Sequence, residues 1–98
     1  MLSILIAAIR GRRLVSIWYD PGVRLVEPHA LGYGSDGQVL LRAFQVTGAS
    51  TSGQPVHWKL FRVDRITDAK FNGRSFRKPR PQYQRDDSAM TGGIIAQI

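Results

Sequence analysis

VHWKLFRVDRI, residues 56–66, is the stretch on which the reading of this chain turns. Val56, Trp58 and Leu60 alternate with His57 and Lys59, the period of two that marks a strand with one buried face. This places Trp58 in the core with Val56 and Leu60, and His57 on the exposed side. The alternation stops at Leu60-Phe61, and Phe61, Val63 and Ile66 then fall at a wider spacing with Arg62, Asp64 and Arg65 between them. A strand that ends in one tight helical turn over Val63–Arg65 and runs into a further strand accounts for the change. It also fixes Arg62 and Arg65 between apolar anchors. Each guanidinium offers paired N–H donors that match a phosphate or carboxylate; the competing reading is that Arg65 pairs with Asp64, Asp68 or Glu27 and holds the turn.

Upstream of this stretch, Ser3 is placed to cap a short helix through Arg10, with Ile4, Leu5, Ala8 and Ile9 on one side and Gly11 as its stop. Two turns do not stand alone in water, so the helix must lie on something, most simply as a lid over a small sheet. Arg13–Tyr19 is β-rich and reads as the first strand. Asp20-Pro21-Gly22 turns it into a second strand, Val23–Tyr33, in which Pro28 demands an edge or a bulge because it has no N–H for a ladder. Gln38–Val46 is the third strand, with Arg42 its single charge. The loop TGASTSGQP, residues 47–55, leads to the fourth strand, and Ile66–Phe71 makes a fifth, closed by Asn72-Gly73.

Beyond that point the signals thin. Arg74–Arg85 holds two prolines and neither an aliphatic nor an acidic residue, the composition of an extended basic segment. Asp86–Gly93 reads as linker. The apolar end Ile94–Ile98 is open to three fates: an edge strand, pairing with another subunit, or fraying. The expected organisation is a domain over residues 1–72 and a basic, flexible C-terminal tail over 73–98. The fold class is mainly β: a small five-stranded SH3-like or Sm-like barrel with a short N-terminal helix. An OB-fold is the rival, but its helix falls between the third and fourth strands, where residues 47–55 are a poor helix.

The totals agree with a single small domain of 98 residues. The absence of cysteine excludes disulfides and thiolate chemistry and suits a reducing cytoplasm. No apolar run reaches the length of a membrane span, and Met1–Ile9 lacks the basic lead and cleavage site of a signal peptide, so a cytoplasmic protein without membrane contact is expected. The net charge of +7 points to a polyanionic partner. Residues 1–69 carry eight Lys/Arg against five Asp/Glu, and residues 70–98 carry six against two. No nucleophile elbow, phosphate loop or acid pair stands in a recognisable frame, and His29 and His57 lack further ligands. The chain therefore reads as a non-enzyme with no cofactor and no metal.

Four pieces in order resemble the WYL domain family. They are Ala8-Ile9-Arg10-Gly11-Arg12-Arg13-Leu14-Val15 running on to Tyr19; Arg24-Leu25-Val26-Glu27-Pro28, similar to an R-x-V-x-P element; the strand with Gly37 and Val39–Ala43; and Phe61-Arg62-Val63-Asp64-Arg65-Ile66, similar to F-R-L-D-R-I. Together they cover roughly residues 4–71. The triplet that names the family would fall at Val39-Leu40-Leu41, where only the leucine is kept, and no helix-turn-helix domain precedes the barrel in this sequence. The resemblance implies a bacterial ligand-sensing module with an Sm-like barrel, nucleic-acid or oligonucleotide ligands, and a role in transcriptional or defence regulation. A separate DNA-binding partner is then expected.

Taken together, the expected ligand is single-stranded nucleic acid or a nucleotide-type anion. The expected site is Arg62, Arg65, Arg42, Arg24, Tyr19 and His29. Arg42 must point outward or into a polar pocket, Arg24 follows a turn, Tyr19 is suited to stacking on a base, and His29 sits beside the bulge at Pro28. The alternative is a protein-interaction barrel that forms a homo-oligomer through Met1–Ile9 and Ile94–Ile98.

Overall fold

The computed structural model describes residues 1–98. Helix α1 spans Leu2–Gly11 and is followed by strands β1 Arg13–Tyr19, β2 Gly22–Tyr33, β3 Val39–Gly48 and β4 His57–Arg62. A single 3₁₀ turn, Val63–Arg65, leads to β5 Asp68–Ser75, and β6 Gly93–Gln97 ends the chain. All pairings are antiparallel. The sheet runs β4-β3-β2-β1-β5, with β6 added to β2. The mainly β class and the N-terminal helix are as the sequence predicts. The strand count is six rather than five, and β4 and β5 stand at the two ends of the path with no ladder joining them.

The bend of this sheet has local causes. β2 is twelve residues long and slips register against β3 between Leu25 and Val26, and again between Pro28 and Ala30. The second slip is the bulge that Pro28 requires, since a proline inside a central strand has no ladder hydrogen bond to give. Curved in this way, the sheet encloses Val15, Ile17, Val26, Leu31, Leu41, Ala43 and Phe61, and α1 closes the open side with Leu5, Ala8 and Ile9. Fully burying a leucine or isoleucine contributes about 1.5–3 kcal/mol, so Leu5 and Ile9, with a smaller share from Ala8, hold a helix too short to stand alone. The helix is therefore the lid that its length requires. No helix is long and apolar enough to cross a membrane.

The ends of α1 differ from the expectation. The helix starts one residue before Ser3, with Met1 at its N-cap and no side-chain cap. Gly11 lies within the helix, and the left-handed residue that ends it is Arg12, at φ 50°. The β1–β2 turn also differs in detail: Gly22 pairs with Tyr19 inside the ladder, leaving Asp20-Pro21, joined by a cis peptide, as the turn.

The largest differences lie after residue 66. The division expected at residue 72 falls inside β5, whose bulge opposite Arg13 and Val15 lets it run through Gly73, at φ 90°, to Ser75. Residues 76–98 then return across the sheet. The Phe76 amide donates to Arg12 O at 2.9 Å, Arg80 forms an ion pair with Glu27 at 2.7 Å, and β6 pairs with β2 from Ala30 to Tyr33. The path crosses Gly32, where a Cβ would meet Gly93 O at 2.7 Å and Met90 Sδ at 2.9 Å, so only glycine admits it. Met90 is buried there with Ala30 and Leu40.

This return changes the reading of β4. Phe61 faces the core and is 1% exposed, whereas Leu60 and Val56 are exposed. Trp58 lies on the opposite face from Phe61, under the returning segment, and its indole Nε1 donates to Pro81 O at 3.0 Å. The apolar alternation Val56-Trp58-Leu60 therefore marks the outer face of the strand, not the core face.

Candidate functional site

An open cleft of about 510 Å³ lies between the end of β1, the start of β2, the loop before β4, and β4 itself. Its floor is aromatic. Tyr19 meets Phe61 edge-on at 4.9 Å between centroids. The hydroxyl of Tyr19 accepts a hydrogen bond from the Arg62 amide at 3.3 Å, so the turn after β4 fixes the ring.

Arg24 stands behind this floor and is 3% exposed. Its Nη2 donates to Asp20 O at 2.6 Å, its Nε to Tyr19 O at 3.1 Å, and its Nη1 to Gln45 Oε1 at 3.4 Å. Gln45 is itself buried and is anchored by donating to Ala49 O at 2.8 Å. The guanidinium lies 5.1 Å from the Tyr19 ring centre and 5.6 Å from that of Phe61, within cation–π range. Two of its three acceptors are neutral carbonyls and the third is a neutral amide. Burial pushes its pKa below the ordinary arginine value, with Tyr19 and Asp20 acting the other way.

Lys59 reaches the same cleft from β4, where its Nζ donates to Ser52 Oγ at 2.9 Å and to Ser50 Oγ at 3.2 Å. Burial lowers its pKa, and the charge on Arg24 lowers it further. Arg65, from the 3₁₀ turn, completes the lining. Asp20 is the acidic residue among these groups. Three cations against one carboxylate, with Lys59 held to hydroxyls and Arg24 to uncharged acceptors, leave a concave surface of excess positive charge over an aromatic floor.

Of the six residues expected at the site, Tyr19, Arg24 and Arg65 meet here. Arg24 is a buried wall behind the cleft floor, bonded within the chain. Arg62 lies outside the lining. Its side chain forms a two-point pair with Asp64 at 3.0 and 3.2 Å, a hydrogen bond that raises the guanidinium pKa and lowers that of the carboxyl. Arg42 forms a two-point pair with Asp87 at 2.7 and 3.3 Å and borders a different, smaller cleft. His29 is wholly buried. Its Nδ1 lies 2.7 Å from Glu27 O and its Nε2 accepts the Arg80 amide at 3.1 Å, so both ring nitrogens are engaged inside the protein.

The sequence reading missed Lys59 as a site residue. The signal is its spacing: two positions before Phe61, it shares the face that turns toward the core, at the rim of the curved sheet. Arg80 and Tyr83 were missed as structural partners of Glu27 and His29, because no local pattern joins residues more than fifty positions apart.

No family model matches the chain, and no curated protein matches it. Among solved structures, the chain is similar to proteasome accessory factor B/C (PafBC) of Arthrobacter aurescens, with a TM-score of 0.65 and 25% identity over 86% of this chain. The match spans 13% of that protein's length. The likeness supports a WYL-like domain.

Proposed function

We propose that this chain is a non-enzymatic regulatory module that binds a phosphate-bearing ligand, either single-stranded nucleic acid or a nucleotide-type anion, in the cleft over Tyr19 and Phe61. The observation that carries the reading is the pairing of Arg24 with Lys59. Two cations whose fields oppose each other share one concavity without an ion pair, and Arg65 stands at its edge. An anion in the cleft offsets the mutual repulsion and gives Lys59 and Arg65 a charged acceptor, while the buried Arg24 acts through its field. The similarity to PafBC fits a regulatory module.

Fluorescence anisotropy with short labelled single-stranded oligonucleotides tests this. Binding is expected at low salt and should weaken as salt rises. Lys59→Ala combined with Arg65→Ala should lower affinity at least about tenfold, since each charge-assisted contact is worth about 1.5–3 kcal/mol. Arg62→Ala, outside the lining, should change affinity by less than about threefold, the size of an exposed charge effect. No binding at low salt, or binding untouched by the double substitution, would sink the reading.

The rival, an oligomerisation barrel, drew on the apolar ends of the chain. Both ends have partners within the fold: Leu5, Ala8 and Ile9 are buried under the sheet, and β6 pairs with β2. No separate observation favours that reading.

A further inference from the structure

A second cleft, of about 230 Å³, opens on the other side of β4. Its wall is built largely by residues 82–88, which the returning C-terminal segment lays against the sheet, and by Trp58. Trp58 is the residue that borders both clefts. The two differ in chemistry. The first carries excess positive charge. In the second, the one cation, Arg42, is matched by Asp87, whose carboxyl would be raised by burial but is held below the usual carboxylate range by the Arg42 hydrogen bond and the Ala89 amide. The space is therefore close to neutral and holds donors and acceptors side by side.

Its aromatic surface is extended and fixed. The Trp58 and Tyr83 rings lie within 24° of parallel, 6.0 Å apart between centres. Trp58 is held by its bond to Pro81 O, and Tyr83 by its hydroxyl, whose single hydrogen is shared between His29 O at 3.3 Å and Ile98 O at 3.2 Å. Gln82 brings its amide to the rim from a left-handed backbone, φ 72°, a conformation uncommon for a residue with a Cβ. A planar, neutral ring with donors and acceptors on its edge suits such a site; a phosphate does not. The volume is below the roughly 300 Å³ of pockets that enclose drug-sized ligands. It is the room of one ring system.

We infer that this second cleft receives a single unpaired base of the strand whose phosphates lie at Lys59 and Arg65, the base extending the Trp58–Tyr83 stack. The inference rests on the phosphate reading of the first cleft and narrows it: the ligand is a nucleic-acid strand with an accessible base, not a bare polyphosphate. Base pairing would hide the edge that Gln82 and Arg42 face, so a duplex is rejected and a single strand accepted. The C-terminal segment is then part of the binding surface.

The test uses the full chain carrying Trp18→Phe, since Trp18 borders neither cleft and its removal leaves Trp58 as the reporter. Three probes compete against a labelled dT6: unlabelled dT6, an abasic hexamer with the same phosphates, and tripolyphosphate. Base stacking of about 1–3 kcal/mol corresponds to roughly 5- to 150-fold. Accordingly dT6 should bind at least about fivefold more tightly than the abasic strand and should alone quench Trp58 fluorescence. Ser88→Phe, which fills the second cleft from an exposed position, should erase that advantage and leave abasic affinity unchanged. Equal affinity for dT6 and the abasic strand, or an advantage that survives Ser88→Phe, overturns the inference while the phosphate reading stands. Failure of every probe to bind overturns both.

Discussion

His29 has its proton placed by its neighbours. Glu27 O can only accept a hydrogen bond, so Nδ1 carries the hydrogen; the Arg80 amide can only donate, so Nε2 presents its lone pair. The ring is therefore neutral, packed among Trp58, Phe76 and Tyr83. Burial lowers its pKa and the Arg80 charge acts in the same direction, against the Glu27 carbonyl and carboxylate, which raise it. Protonation would set a second N–H against the Arg80 amide and release the segment anchored there. A base whose folded pKa is depressed contributes stability that is present above its unfolded pKa, about 6.5, and lost as pH falls below it. Urea unfolding should show a lower midpoint at pH 5 than at pH 7.5, with a loss approaching about 1.4 kcal/mol per pH unit at its steepest. His29→Gln, which cannot titrate, should be less stable at pH 7.5 and show a flatter profile. An unchanged slope would assign the acid sensitivity to other groups, since the second histidine, His57, is exposed.

Among the elements, what the sequence made legible and what it hid divide along a physical line. Local signals were sufficient for α1 as a lid, for the strands from β1 to β4, for the bulge at Pro28 and for the turn Val63–Arg65, because each depends on residues within a few positions of one another. Tyr19, Arg24 and Arg65 line one cleft, but the sequence grouped them with Arg42, Arg62 and His29, which lie outside it. The face of β4 was not legible. Its alternation gives two candidate faces, and the choice depends on which one later receives cover. That cover comes from a segment with no aliphatic residue before Ala89, whose attachment uses rings and charges: Phe76 and Tyr83 on His29, Arg80 on Glu27. Polar and aromatic residues rich in arginine read as a solvated tail until their partners, some fifty residues earlier, are known. Glu27 shows the strength of the attachment. Its side chain is 6% exposed and receives both Nε and Nη2 of Arg80, at 2.7 and 3.0 Å. Arg80→Ala should leave that carboxylate without its donors and cost about 1–2 kcal/mol. This is the lower part of the range for an unmet buried acceptor, because Arg80 is 40% exposed and water can replace it. Glu27→Gln in the same background should recover part of the loss, a coupling that a double-mutant cycle measures.

At the scale of the whole molecule, the net charge of +7 overstates what a ligand meets in any one place. Arg42, Arg62, Lys70 and Arg80 lie in ion pairs within the chain, so their charge is matched locally. Cations outside these pairs fall into two groups with different consequences. Arg24, Lys59 and Arg65 converge on the cleft, while residues such as Arg77 and Lys78 lie exposed on the returning segment. A spread of exposed charge draws a polyanion from a distance without fixing contacts, whereas converging cations displace a definite number of counterions. For single strands, each neutralised phosphate contributes about −0.7 to the slope of log affinity against log salt, so two contacts, at Lys59 and Arg65, predict a slope near −1.4. Arg65→Ala should reduce the magnitude of that slope by about 0.7. Arg77→Ala with Lys78→Ala should weaken binding at low salt by a smaller amount and leave the slope within about 0.3 of its starting value, because no phosphate is held at either residue. Measuring the three slopes by anisotropy separates the two models of this basic surface. If removing the exposed pair flattens the slope more than removing Arg65, the charge acts as a diffuse field, and the cleft does not organise the ligand.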